Sequence, residues 1–236
     1  MPAPVPVPVP DRRGPTLLAI TPPSGPCDPV LVATWRDAGA TTLHLLLRRP
    51  GATVAAQLAD PALRALHHAA AEHGVPCLVS CAPDDHEGLH LAHAAGLAGV
   101  QLRGDANDDA VARARGAGLS CVGVSVHGPP RPTLSTADWV AFAPVFAPRT
   151  IDPVRPPKTP AGLPTLRKWT ATGAWVVALG GITAANADAV VAAGARGLAS
   201  IRSFFGPPGE VRDNVGALCR ALRAAPPSGH APSPQT

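Results

Sequence analysis

The sequence predicts an α/β protein folded as a single (β/α)8 TIM barrel, and three observations lead there. Short apolar runs rich in β-branched residues alternate with alanine-rich helical segments along the chain. Gly39, Gly74 and Gly96 close the first three helical segments, as left-handed glycines commonly do. Eight such units fit within 236 residues. That length suits one barrel or two small domains, and eight β-α units favour the barrel over an open doubly wound sheet.

Taken in order, the strands are short apolar runs covered on both faces. Leu17 to Thr21 is the first strand, with a helix over Asp28 to Ala38. Thr42 to Leu47 is the second, followed by one helix from about Val54 to His73. Cys77 to Cys81, Gly99 to Arg103 and Cys121 to His127 are the third, fourth and fifth strands. Helices over Asp85 to Ala95 and Asn107 to Ala117 separate these three. The sixth strand, Trp139 to Phe146, follows a proline-broken connection with little room for a helix. A proline-rich loop, Ala147 to Pro160, leads to a helix near Leu163 to Thr172. The last two strands flank a Gly-Gly turn, and Val211 to Arg223 is a closing amphipathic helix. Residues 1–15 and 225–236 read as proline-rich disordered tails around a barrel of residues 16–224.

The stretch from Ala174 to Gly206 carries the strongest local signal. It parses as strand, Gly180-Gly181 turn, short helix with Thr183 as N-cap, and strand ending in the Ile201 to Gly206 loop. Glycine amides and a helix N-terminus suit a bound phosphate, although an ordinary βαβ crossover has the same pattern. The barrel favours the anion reading, because phosphate commonly binds after strands seven and eight.

Composition excludes several classes. No run reaches the ~18 apolar residues of a membrane span. Net charge is only +4, aromatics are 3% and tyrosine is absent, so neither a nucleic acid nor a membrane is the expected partner. A phosphorylated small molecule fits better. The five cysteines form no CxxC pair, and Cys77 and Cys81 sit roughly 13 Å apart along a strand. The N-terminal MPAPVPVPVPDRRG has no uninterrupted apolar core and does not read as a signal peptide, so the cytoplasm is the expected location. His86, His90 and His93 have metal-like spacing, but about 10 Å of helix rise separates the outer two, so they read as a solvated face.

Several motifs in order resemble the thiamine phosphate synthase/TenI family. They are GVSVHG, ADWVAFAPVF, GLPTL, ALGGI followed by Asn186, and GARGLASI, with weaker matches at LLAIT, VPCLVSC and LAGVQL. The resemblance implies a phosphate-binding barrel of thiamine biosynthesis. It compares best with two activities: a synthase joining hydroxymethylpyrimidine pyrophosphate to thiazole phosphate, and a metal-independent thiazole tautomerase. Members of the family often form dimers or larger rings, which leaves a homo-oligomer open.

Departures from the synthase pattern decide the sequence-level preference. The Gln-x-Arg-x-Lys run on strand two becomes His44, Leu46 and Arg48. The Asn-Asp pair on strand three becomes Ser80-Cys81, and a thiol is a poor ligand for hard Mg2+. His-Leu-Gly-Gln becomes Gln101 to Gly104, and a second metal-binding Asp falls at Asp105 or, with a gap, at Ala106. The Thr-x-Thr-Lys run becomes Pro148 to Ile151, without its lysine. These changes favour a tautomerase acting on a thiazole carboxylate phosphate without a cofactor. The synthase, with Mg2+ at Asp105, is the alternative, and a non-catalytic phosphate-binding paralogue is a third reading.

On the tautomerase reading His127 is the acid/base group, because histidine moves protons near neutral pH. His44 is a second catalytic candidate, and it is also readable as a core histidine. Arg48, Ser125, Gly180, Gly181, Ile201, Arg202 and Ser203 are the substrate- and phosphate-binding candidates. Period-two alternation puts Ser125 with His127, and His44 with Leu46 and Arg48, on shared strand faces. A mouth plugged by Arg202, Phe204 and Phe205 is the pattern expected of a non-catalytic barrel.

Overall fold

The structure, a computed structural model, describes residues 15–104, 106–130, 136–150, 156 and 158–224. Apart from Pro15, the predicted tails lie outside the described residues, as does Asp105. Eight strands form a closed, all-parallel barrel in chain order. They are β1 (Thr16–Ile20), β2 (Leu43–Leu47), β3 (Cys77–Cys81), β4 (Gly99–Leu102), β5 (Cys121–Val126), β6 (Trp139–Phe142), β7 (Val176–Ala178) and β8 (Gly197–Ser200). Thr16 to Ala19 pair with Gly197 to Ser200 and close the ring.

Alternation along each strand divides the core into two layers. Leu43, Leu45 and Leu47 face outward into the shell between barrel and helices. Leu18, Ile20, Leu46, Leu78, Val177 and Ala199 belong to the cluster inside the barrel. Both strand faces are therefore dry, which explains why the strands read as unbroken apolar runs. Each fully buried leucine contributes about 1.5–3 kcal/mol by leaving water, so a register slip would be costly at every strand.

The helices are α1 (Leu31–Asp37), α2 (Val54–Ala59), α3 (Pro61–Glu72), α4 (His86–Ala94), α5 (Asp108–Gly116), α6 (Gly162–Thr170), α7 (Ala187–Ala192) and α8 (Pro208–Arg223). The single helix expected over 54–73 is two. Asp60 is extended (φ −64°, ψ 118°) and its carboxylate accepts from the Ala62 and Leu63 N–H groups. Pro61 forces this break, because proline disfavours helical backbone in the residue before it and is well suited to a first turn. No helix stands between β5 and β6 among the described residues, as the proline-broken connection predicts.

Two further expectations are corrected. The sixth strand ends at Phe142 rather than Phe146, where Pro144 has no N–H for the ladder. The chain still follows β7, with Val145 N–H donating to Leu179 O (2.9 Å) and Phe146 N–H to Gly180 O (3.0 Å). Thr183 does not cap α7. Asn186 holds that place, and its side chain reaches backward, accepting from Thr183 N–H and donating to Gly181 O, both at 2.9 Å.

Beneath the barrel, Asp138 ties three elements together. Its carboxylate accepts from Arg115 Nη2 at 2.6 Å and from the Val122 N–H at 2.7 Å, and the side chain is 6% exposed. Asp138→Ala leaves a buried N–H and a guanidinium without their acceptor. The expected cost is about 2–3 kcal/mol, read as a lower urea midpoint at unchanged m-value.

Candidate active site

A cavity of about 770 Å3 opens at the C-terminal ends of the strands. Alternation delivers much of its wall: Leu46 of β2 with Arg48 just beyond it, Gln101 of β4 with Arg103 just beyond it, and Ser125 of β5 with His127 just beyond it. Arg48, Ser125, His127, Gly180, Gly181, Ile201, Arg202 and Ser203 all border it, so the structure brings together every described candidate except His44.

His44 shares the inward face of Leu46 and Arg48 but sits deeper, 4% exposed, and does not border the cavity. Its ring meets Trp139 edge-on at 5.2 Å between centroids. Neither ring nitrogen has a hydrogen-bond partner among the described residues. Burial pushes its pKa down to about 4, only partly opposed by Asp138. A catalytic His44 is therefore corrected to a neutral core histidine: alternation set its face, and its height in the barrel took it out of reach.

At one end of the cavity lie the turn after β7 and the loop after β8. Gly180 (φ 96°) and Gly181 (φ 65°) have left-handed backbone, which other residues rarely adopt. A Cβ on Gly180 would lie 2.5 Å from Pro144 Cβ, and one on Gly181 2.7 Å from Ala147 O. Glycine is needed at both. The Gly181 and Arg202 N–H groups have no protein acceptor among the described residues, whereas the Thr183 N–H is taken by Asn186. Ser200 and Ser203 join their hydroxyls at 3.0 Å, bracing the β8 loop. Phe204 and Phe205 turn away from the mouth. Both pack edge-on against Trp35 of α1, whose indole N–H donates to Phe204 O at 2.8 Å. Arg202 reaches the cavity, but Phe204 and Phe205 do not form the plug that would mark a non-catalytic barrel.

Cations border the rest of the cavity. Arg48 and Arg103 follow β2 and β4, across the ring from β7. Arg149 belongs to the connection after β6, whose Phe146 pairs with Gly180. Lys158 and Arg202 complete the set, and Glu210 is the single described carboxylate in the lining. Arg103 reaches back over the end of β3, donating to Ala52 O at 3.4 Å. The run Pro148 to Ile151 has no lysine, but Lys158, several residues beyond it and one of only two lysines in the chain, borders the cavity. That rarity was the available signal.

The resemblance implies a Mg2+ site, and the described residues do not fit one. Cys81 is fully buried with its thiol pushed up to about 12 by burial, and its sulfur sits against Ala82 O. Only Ser80 of that pair borders the cavity. Among the described residues no group of three His, Cys, Asp or Glu could hold a metal. His86, His90 and His93 are exposed on α4, away from the cavity.

Comparison with known proteins decides the family. The model of the thiamine monophosphate synthase family matches residues 19–204. The chain belongs to the thiamine monophosphate synthase/TenI family. It is 36% identical over 226 residues to the thiamine-phosphate synthase of Bordetella pertussis, covering 89% of this chain and 94% of that protein. It is 32% identical to that of Geobacillus kaustophilus, covering 80% and 82%. A 38% match to the enzyme of Methanoculleus marisnigri covers 57% of this chain and 62% of that one. The thiamine phosphate pyrophosphorylase structure from Pyrococcus furiosus has the same fold, with TM-score 0.64 at 22% identity over 91% of this chain and 98% of that one. Among the described residues no helix is long and apolar enough to cross a membrane.

The His44 environment makes a pH prediction with a definite sign. The unfolded chain takes up a proton near pH 6.5 and the folded chain near pH 4, so folding stability falls as pH drops between these values. The loss is about 3 kcal/mol across that window. In His44→Leu this contribution should vanish, so wild type and variant, compared by urea unfolding at pH 7 and pH 4, should differ most in slope against pH.

Proposed function

We propose that the protein is a thiamine phosphate synthase, joining hydroxymethylpyrimidine pyrophosphate to thiazole phosphate with release of pyrophosphate. The carrying observation is the layout of one cavity bordered by five cations, with the Gly180-Gly181 turn on one side and Arg48 and Arg103 across the ring from it. A tautomerase holds one phosphate and one carboxylate of a single substrate. A synthase holds a phosphate and a pyrophosphate together, and the larger anionic charge suits five cations better. The relatives that cover most of the chain are named thiamine-phosphate synthases, which supports the same reading over the tautomerase preferred from sequence.

In this reading the thiazole phosphate rests its phosphoryl group on the Gly181 and Arg202 amides, with the Arg202 guanidinium able to add a charge-assisted bond. The pyrophosphate lies against Arg48 and Arg103, with Arg149 and Lys158 bordering the same cavity. The carbon–oxygen bond to pyrophosphate breaks and a carbon–nitrogen bond to the thiazole forms. The departing oxygen keeps the bonding electron pair, and fixed cations lower the energy of that developing charge. Shielding by the barrel strengthens each such contact relative to water.

A TenI-like tautomerase is the second reading. It is favoured by one observation: His127 borders the cavity two positions from Ser125 on the same strand face. The two readings separate when purified protein is incubated with each substrate set, with and without Mg2+, and the products identified. Thiamine phosphate is the expected product. Isomerised thiazole alone, abolished by His127→Ala, would replace the synthase reading. Arg48→Ala should lower kcat/KM for condensation about 10²-fold, and an unchanged value would remove the cationic rim from the mechanism. Gly181→Ala should raise KM for thiazole phosphate at least about tenfold, because a methyl group has no space there.

A further inference from the structure

The floor of the cavity holds a buried polar relay that neither charge nor phosphate binding explains. Gln101 is 3% exposed inside the barrel. Trp139 Nε1 donates to its Oε1 at 2.9 Å, and its Nε2 donates to Ser125 Oγ at 3.1 Å. Space for it comes from Gly123, where a Cβ would lie 2.2 Å from Gln101 Oε1 and 2.3 Å from Trp139 Nε1.

The chemistry of these groups fixes their polarity. An indole N–H can only donate, so the oxygen of the Gln101 amide must face Trp139 and its NH2 must face Ser125. Ser125 then accepts from Gln101. Its own O–H donates to no protein acceptor among the described residues, and Ser125 borders the cavity. We propose that Gln101, oriented by Trp139, is a positioning residue that presets Ser125 as a hydrogen-bond donor to bound substrate. This deepens the reading of the cavity as a synthase site and rests on it for the identity of the ligand. A preset donor at the floor selects ligands that place an acceptor atom, such as a ring nitrogen or phosphoryl oxygen, at that depth. It disfavours those that offer only a donor there, because the Ser125 O–H is then left without an acceptor.

Gln101→Glu tests this with little change of shape. Ionised, the introduced carboxylate accepts from both Trp139 and Ser125, which turns the Ser125 proton away from the cavity. Protonated, its O–H donates to Ser125 and its carbonyl accepts from Trp139, which restores the wild-type polarity. Burial raises the pKa of such a carboxyl, bringing the change toward neutral pH. The other titratable or charged groups nearby are His44, behind Trp139, and Arg48, Arg103 and His127 on the wall above. The wild-type profile subtracts their titration.

The probes are thiazole phosphate and thiamine phosphate, bound at pH 7 to 9.5, above the second ionisation of phosphate near pH 6. Ser125→Ala should weaken binding about tenfold at every pH. Gln101→Glu should approach wild type at the acid end and weaken binding at least tenfold at the alkaline end. The pH-dependent loss should disappear in the Ser125→Ala background, since the two act on one hydroxyl. A flat profile for Gln101→Glu, or full additivity in the double variant, overturns the proposal. If wild type binds neither probe, the synthase reading fails, and the relay is still tested by the Trp139 indole N–H resonance of 15N-tryptophan protein. That resonance should titrate in Gln101→Glu and not in wild type. An unmoved resonance overturns the relay.

Discussion

Closure of the all-parallel barrel is the constraint on which everything else depends. Pairing β8 with β1 leaves no sheet edge, and helices cover the outside, so nearly every strand position must be apolar. Polar chemistry is pushed to the inward positions at the strand ends and to the loops beyond them. Arg48, Arg103, Ser125 and His127 are inward residues of that kind, and Gly180-Gly181 and Ile201 to Ser203 are such loops. The exceptions inside the barrel are few and specific. Gln101 is satisfied by Trp139 and Ser125, whereas His44 is kept neutral with no partner for either nitrogen among the described residues. One is a relay to the cavity and the other a core residue, separated by height along the axis.

Much of this was legible in the sequence, and the parts that were not have physical reasons. β3 falls on Cys77–Cys81, as its apolar run between Pro76 and Ala82 indicates. Period-two alternation correctly pairs Ser125 with His127 and places Leu46 and Arg48 inward. Alternation states a face but not a depth, because depth depends on the stagger between neighbouring strands. His44 and Arg48 share a face and have different fates for that reason. The break at Asp60-Pro61 was written in the sequence as a capping acid before a proline, and helical periodicity on both sides hid it. Lys158 was out of reach of motif matching, because it stands several residues beyond the position the motif names. The Gln101 relay needs two residues far apart in sequence, joined only by the register of β4, β5 and β6.

The departures from the synthase pattern also take on a different meaning once placed in space. Loss of the β3 carboxylate looked like loss of the pyrophosphate half. In the folded chain Arg103 extends over the end of β3, and Arg149 and Lys158 border the same cavity. Phe204 and Phe205, beside the mouth in sequence, are held by Trp35 on the outside of the barrel, leaving the cavity open.

The central claim is that one cavity holds two anions at once, at opposed ends. It is tested most directly by calorimetric titration of inorganic pyrophosphate into the protein already saturated with thiazole phosphate. Two separate ends predict that pyrophosphate binds one-to-one, with an affinity no weaker than in the absence of thiazole phosphate. Competition between the two, seen as an apparent affinity for pyrophosphate that falls in proportion to thiazole phosphate, would mean a single anion site and would contradict it.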